Sequence, residues 1–204
     1  MSTPKQLVVF LHGFGSDGQD LIGLGNHWAK ALPTAQFVSP NAPFPTPFGA
    51  GYQWFSLQGI DADNRPDRIV AARSAFDACL QAEFNARNID PARDQVVLVG
   101  FSQGSIMALD LLVSGRWPVA GVVAFSGRLS SPQPWQPQPG TPVLLVHGRR
   151  DDVIPWQESA EADRLLQAAG LAVDVLFDDT AGHGISVAGS ERAQAFLVNC
   201  FNPL

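Results

Sequence analysis

Residues 96–109 read Val96-Val97-Leu98-Val99-Gly100-Phe101-Ser102-Gln103-Gly104-Ser105-Ile106-Met107-Ala108-Leu109. The run before Gly100 is typical of a buried strand, and the residues from Gln103 onward favour a helix. Between them stands Gly-x-Ser-x-Gly, whose glycines leave room for a sharp strand-to-helix turn. Such a turn projects the serine hydroxyl over the carboxyl edge of a sheet, which makes Ser102 a candidate nucleophile.

Ser102 also has a plainer interpretation, because serine is a common N-cap residue at the start of a helix. A bare Gly-x-Ser-x-Gly pattern also arises by chance. The strand before the motif and the helix after it are the setting that a nucleophile elbow requires. The sequence therefore favours the catalytic interpretation of Ser102.

The rest of the chain repeats the alternation of apolar strand and amphipathic helix. The predicted strands are Leu7–His12, Gln36–Ser39, Val96–Gly100, Val119–Ser126, Val143–His147 and Val173–Phe177. Most of these runs are apolar without alternation, as in strands covered on both faces. We therefore predict an α/β fold: a mostly parallel central sheet with helices on both faces, in a three-layer sandwich. The length of 204 residues predicts one domain, residues 1–204, without a large lid domain.

A serine nucleophile needs a neighbouring base, and histidine has a suitable pKa. The chain has four histidines. His12 and His147 each end a strand run, and His27 lies on a predicted helix near the start of the chain. His183 lies between glycines in a loop after the last predicted strand. Because α/β-hydrolases order their triad as nucleophile, acid and histidine, the sequence assigns the base to His183.

The acid is expected in the turn after the strand Val143–His147. Asp151 and Asp152 both stand there, and their spacing does not separate them. Asp178 and Asp179 are weaker candidates because they closely precede His183. A carboxylate at this place would hold the histidine in the correct tautomer and stabilise its charged form.

The first strand runs into Leu11-His12-Gly13-Phe14-Gly15, a loop whose glycines allow close approach to a ligand. The backbone amide of Phe14 is the expected first donor of an oxyanion hole. The second is the amide of Gln103, directly after the nucleophile.

Residues 40–55 hold four prolines among aromatic side chains, which predicts an ordered loop or an edge piece. Loops of this kind often form binding walls. We expect Phe14, Trp54 and Phe55 to contact the acyl group of a substrate. The alternative is that these aromatics only cover the edge of the sheet.

Gly13-x-Gly15-x-x-Gly18 also matches the fingerprint of dinucleotide-binding oxidoreductases. That fingerprint requires an acidic residue at the end of the second strand, to bind the ribose. The second predicted strand ends Val38-Ser39-Pro40-Asn41, with no carboxylate. This alternative also leaves Ser102 and His183 unexplained. A further alternative is a binding module that has the hydrolase fold and no activity.

Four motifs resemble the phospholipase/carboxylesterase family of α/β-hydrolases, which includes acyl-protein thioesterases and small bacterial carboxylesterases. They are Leu11-His-Gly-Phe-Gly15, Gly100-Phe-Ser-Gln-Gly104, His147-Gly-x-x-Asp151 and Gly182-His183. The resemblance implies that Asp151 is the acid and that the amides of Phe14 and Gln103 form the oxyanion hole. It also implies hydrolysis of acyl esters through an acyl-serine intermediate, with lysophospholipids and acyl-thioesters as alternative substrates. Because 204 residues leave little length for a helical lid, we expect esters of short to medium acyl chain.

Composition narrows the partners and the location. The net charge of −6, without a long basic stretch, argues against nucleic-acid binding. No run approaches the roughly 20 apolar residues of a membrane helix, and the short first run lacks the features of a signal peptide. Cys79 and Cys200 stand far apart, which favours a reducing compartment, and we expect a cytoplasmic protein. The expected partner is a small ester, no metal or organic cofactor is implied, and a homodimer is left open.

Overall fold

The computed structural model describes residues 3–202. Six strands form one parallel sheet in the order β2-β1-β5-β6-β7-β8. They are β1 (Gln6–Leu11), β2 (Ala35–Val38), β5 (Gln95–Phe101), β6 (Gly121–Phe125), β7 (Pro142–Gly148) and β8 (Ala172–Asp178). Each predicted strand is present, with ends shifted by one or two residues. Because all six run the same way, their carboxyl ends meet at one edge of the sheet.

Five helices cover the two faces of this sheet. They are α1 (Gln19–Trp28), α2 (Arg65–Arg87), α3 (Gln103–Ser114), α4 (Gln157–Ala168) and α5 (Val187–Phe201). Alternate side chains of β1 enter different cores: Val9 belongs to the core covered by α2, α3 and α4, whereas Val8 belongs to the core covered by α1 and α5. The three-layer α/β sandwich predicted from the sequence is therefore confirmed.

The helical spacing of apolar residues in the sequence predicts helices over Arg68–Arg87 and Glu191–Phe201, and both begin earlier in the structure. Helix α2 starts at Arg65 instead of Arg68, and Pro66 in its first turn suits a helix start. Helix α5 starts at Val187 instead of Glu191, because the hydroxyl of Ser186 accepts a hydrogen bond from the amide of Gly189. None of the helices described over residues 3–202 is long and apolar enough to cross a bilayer.

The first proline-rich segment forms a two-stranded antiparallel hairpin of β3 (Phe44–Pro45) and β4 (Tyr52–Gln53). It is joined to the loop after β1, since the amide of Gly15 donates to the carbonyl of Tyr52 at 2.9 Å. The segment that was predicted as an ordered loop or edge piece thus lies beside the residues that follow β1.

A buried ion network fastens α2 to α3. Asp110 is fully buried on α3 and accepts hydrogen bonds from Arg73 at 2.7 and 2.9 Å and from Arg116 at 2.8 Å. Burial by itself would raise the pKa of Asp110. The hydrogen bond from Arg73 and the charge of Arg116 outweigh this effect and hold the pKa of Asp110 below its ordinary value.

Replacing Asp110 by alanine is expected to lower the free energy of unfolding by about 3 kcal/mol at pH 7, because Arg73 loses its carboxylate partner and Arg116 keeps only Asp77. Since the folded-state pKa is depressed, this carboxylate stabilises the fold fully above its unfolded-state pKa. The contribution disappears as pH falls through the folded-state pKa, so wild type and variant should converge in acid. Urea unfolding across pH measures this. Glu161→Ala breaks an exposed pair with Arg164 and should cost less than about 1 kcal/mol; an equal loss in both variants would contradict the prediction.

Candidate active site

Ser102 lies in the sharp turn between β5 and α3, with φ 51° and ψ −114°. A positive φ is strained for a residue other than glycine and is found preferentially at functional sites. A side chain on Gly104 would collide with the carbonyl oxygen of Leu11, so glycine lets the elbow pack against the end of β1. The Ser102 hydroxyl makes no capping bond to α3, which removes the N-cap interpretation.

The structure brings the three predicted triad residues together. The Oγ of Ser102 lies 3.0 Å from Nε2 of His183. Nδ1 of the same ring lies 2.7 Å from Oδ2 of Asp151. The His183 ring also packs on Phe101, with ring centroids 5.0 Å apart. These contacts form one continuous chain from hydroxyl to imidazole to carboxylate.

Backbone contacts between two loops place Asp151 beside His183. The amide of Arg150 donates to the carbonyl of Ala181 at 3.0 Å, so the loop after β7 lies on the loop after β8. A side chain on Gly148 would collide with the carbonyls of Ala181 and Gly182. Glycine at the end of β7 is therefore required for the two loops to meet.

Of the four candidate acids, only Asp151 reaches His183. Its side chain is fully buried, whereas Asp152 is exposed. Asp178 accepts from the amide of Thr180 within its own turn, and Asp179 pairs with Arg149 at 2.9 Å. The structure therefore separates Asp151 from Asp152, which the spacing of residues could not do.

The carboxylate of Asp151 is held by the backbone as well as by His183. Its Oδ1 accepts the amides of Val153 at 2.9 Å and Ile154 at 2.8 Å. Burial by itself would raise the pKa of Asp151, but the hydrogen bonds from His183 and from the two amides lower it below its ordinary value. The group is accordingly ionised at neutral pH.

The two predicted oxyanion donors belong to residues next to this turn: Gln103 follows Ser102 directly, and Phe14 follows Gly13, which packs against Ser102. A Cβ added at Gly13, next to Phe14, would stand 3.5 Å from the Cβ of Ser102. Among the hydrogen bonds between residues 3 and 202, none uses either amide as a donor to another group of the chain. Both donors are thus free to bind an oxygen at this edge of the sheet.

Trp54 is too deeply buried to form the binding wall that the sequence predicted, and Phe55 is buried beside it. Trp54 is only 1% exposed, and its indole donates to the carbonyl of His12 at 2.9 Å. The side chain of Gln103 accepts the amide of Trp54 at 2.8 Å and donates to the carbonyl of Phe55 at 2.7 Å. These hydrogen bonds hold residues 54 and 55 against the turn that carries Ser102, so Trp54 has a structural role. Phe14, at 41% exposed, is the member of the predicted set that offers surface to a ligand.

A cavity of about 480 Å³ opens between α1 and the loop after β8. It borders the chain neighbours of two triad residues, since Phe101 precedes Ser102 and Gly184 follows His183. Its other walls combine four apolar with four polar side chains: Leu21, Leu24, Ile185, Val187, Asp20, His27, Ser186 and Ser190. The cavity is large enough for an apolar arm of a small substrate.

The glycines of the dinucleotide fingerprint have a local structural role. A side chain on Gly18 would collide with the carbonyl of Ser39, so glycine allows the turn before α1 to approach the end of β2. Within residues 3–202, no three His, Cys, Asp or Glu side chains converge as metal ligands.

The fold, with the hydrogen-bonded side chains of Ser102, His183 and Asp151, is that of a serine hydrolase. The sequence profile of the phospholipase/carboxylesterase family matches residues 1–201, and the chain belongs to that family. It is 33% identical over 181 residues to esterase YpfH of Escherichia coli (strain K12), covering 89% of this chain and 77% of that protein. It is 29% identical to acyl-protein thioesterase 1 of Saccharomyces cerevisiae (strain ATCC 204508 / S288c), covering 80% of this chain and 78% of that protein.

Solved structures agree with this assignment. The crystal structure of esterase PE8 superposes with a TM-score of 0.84 at 37% identity, covering 96% of this chain and 92% of that one. The Bacillus cereus carboxylesterase shares the fold, with a TM-score of 0.79 at 20% identity over 96% of this chain and 89% of that one. The predicted α/β-hydrolase fold and family resemblance are confirmed. The chain is an enzyme of the carboxylesterase and thioesterase class, and the dinucleotide-binding alternative is left without support.

Proposed function

We propose that this enzyme hydrolyses carboxylic esters of short to medium acyl chain through an acyl-serine on Ser102. The observation that carries the proposal is the unbroken chain from Ser102 Oγ to His183 Nε2, at 3.0 Å, and from His183 Nδ1 to Asp151 Oδ2, at 2.7 Å. A serine hydroxyl is a poor nucleophile until a base accepts its proton, and this arrangement supplies the base and the group that orients it.

The reaction would run in two halves. The Oγ of Ser102 forms a bond to the ester carbonyl carbon as Nε2 of His183 takes its proton. The carbonyl oxygen becomes negative and binds the amides of Phe14 and Gln103. The bond to the leaving oxygen then breaks, and His183 returns the proton to the departing alcohol. Water attacks the acyl-serine by the same steps and releases the acid, while Asp151 stabilises the charged imidazole in both halves.

The acyl-length preference rests on the cavity bordered by Phe101 and Gly184. An apolar arm of the ester would lie against Leu24 and Ile185, where its burial contributes about 0.8 kcal/mol per methylene. A volume of about 480 Å³ is sufficient to hold a short or medium chain. Thioesters would follow the same steps, because only the leaving atom differs.

The test is a series of 4-nitrophenyl esters from acetate to octanoate, with Leu24→Trp beside wild type. A bulky indole would fill the cavity, so kcat/KM for octanoate should fall at least about tenfold and that for acetate less than about twofold. Asn26→Trp places the same group on the exposed face of α1 and is the matched control. A wild type that cleaves no ester in the series would overturn the proposed reaction. Equal effects of Leu24→Trp on all chain lengths would overturn only the role of the cavity.

A further inference from the structure

A second histidine touches the candidate acid. His147, at the end of β7, is fully buried. Its Nε2 lies 3.0 Å from Oδ2 of Asp151 and 2.9 Å from the carbonyl oxygen of Ile154. Its Nδ1 lies 2.7 Å from the hydroxyl oxygen of Ser159 on α4. The proposed reaction steps make no use of this ring.

The partners of His147 determine where its hydrogen sits. Nε2 faces a carboxylate oxygen and a carbonyl oxygen, both of which only accept, so Nε2 must carry the hydrogen. Nδ1 can then accept the hydroxyl hydrogen of Ser159, because the other acceptor near that hydroxyl, the carbonyl of Gly127, is more distant at 3.4 Å. Burial lowers the pKa of His147, although the carbonyl of Ile154 and the charge of Asp151 oppose this effect. His147 is therefore a neutral donor with a fixed tautomer.

His147 completes the set of donors around the acid. The Oδ1 of Asp151 already accepts two backbone amides, and its Oδ2 is shared by His147 Nε2 and His183 Nδ1. Without His147, the oxygen that faces His183 would keep a single donor, and the carboxylate would lose one of the contacts that fix its plane.

We propose that His147 is a positioning residue for ester hydrolysis, holding Oδ2 of Asp151 in line with Nδ1 of His183. This role rests on the proposed triad. The titratable groups that face His147 are Asp151 from the loop after β7 and His183 from the loop after β8, while α4 contributes the Ser159 hydroxyl. Because His147 shares the negative oxygen, its removal should leave more of that charge to stabilise protonated His183. The acid limb of the kcat/KM profile should then move to higher pH.

The test compares His147→Leu, which removes the donor, with His147→Gln, whose amide nitrogen keeps one near the position of Nε2. For 4-nitrophenyl acetate, His147→Leu should lower kcat about 10- to 100-fold with KM changed less than about twofold. The acid limb of its kcat/KM profile should move to higher pH. His147→Gln should keep kcat within about threefold of wild type, with the limb unmoved. Ser159→Ala retains the ring and should cost less than His147→Leu.

A merely structural role would give a different result. Full activity in both histidine variants, or equal losses in both with an unmoved acid limb, would overturn the proposal. If His147→Leu does not fold, as judged by circular dichroism, His147→Gln decides it: a folded Gln variant that loses more than about threefold in kcat would overturn the proposal. The ¹⁵N shifts of the His147 ring are a readout independent of turnover: a hydrogen on Nδ1, or a charged ring at neutral pH, would contradict the assignment even if the proposed reaction failed.

Discussion

Replacing Ser102 by alanine is expected to lower kcat for 4-nitrophenyl butyrate about 10⁶-fold, because no other group can form the acyl-enzyme. Wild type should gain one adduct from a fluorophosphonate probe, detected by intact mass, and the variant should gain none. The fold should survive the change, since the hydroxyl of Ser102 makes no capping bond and contacts His183 alone among the described hydrogen bonds.

His183→Ala should slow the same labelling greatly, because the serine would keep its proton. Ser74→Ala, which removes a hydroxyl from α2, serves as the matched control and should be labelled at the wild-type rate. A labelled and active Ser102→Ala variant would overturn the assignment of the nucleophile. A folded wild type that takes up no probe would indicate that the serine is not activated.

The fold was predictable because the strands are covered on both faces and read as unbroken apolar runs. The predicted strand Val96–Gly100 lies within the observed β5, Gln95–Phe101. The sharp turn at Ser102 was equally predictable, because such a turn sterically requires the glycines of Gly-x-Ser-x-Gly and these are visible in the sequence. Chain order then singled out His183, because parallel strands bring loops that are distant in sequence to one edge of the sheet.

Other features depend on contacts that spacing does not encode. The spacing of residues does not separate Asp151 from Asp152. The family resemblance assigned the acid to Asp151, and in the structure only that side chain of the two reaches His183. Trp54 looked like a binding wall because aromatic residues in a loop are often exposed, but its indole donates to the carbonyl of His12 and fixes the ring inside the core. One feature of the sequence could have pointed to the contact of His147 with Asp151: His147 is a polar residue at the end of an otherwise apolar strand.

Asp151→Asn is expected to lower kcat/KM about 10⁴-fold with little change in the fold. The reason lies in the donors around the carboxylate. The amides of Val153 and Ile154 require an acceptor at Oδ1, so the single oxygen of asparagine should take that position. Its NH₂ group then faces Nδ1 of His183 as a donor. The histidine must accept there and carry its hydrogen on Nε2, where it can no longer take the proton of Ser102.

Asp152→Asn is the matched control, because the same substitution one residue further along changes an exposed side chain. It should leave kcat/KM within about twofold of wild type. The pair is compared by steady-state kinetics with 4-nitrophenyl acetate and by the rate of fluorophosphonate labelling. Loss of activity in Asp152→Asn with retention in Asp151→Asn would reverse the assignment of the acid. Retention in both would mean that His183 keeps its tautomer without a carboxylate, which the contact of 2.7 Å between Asp151 and His183 argues against.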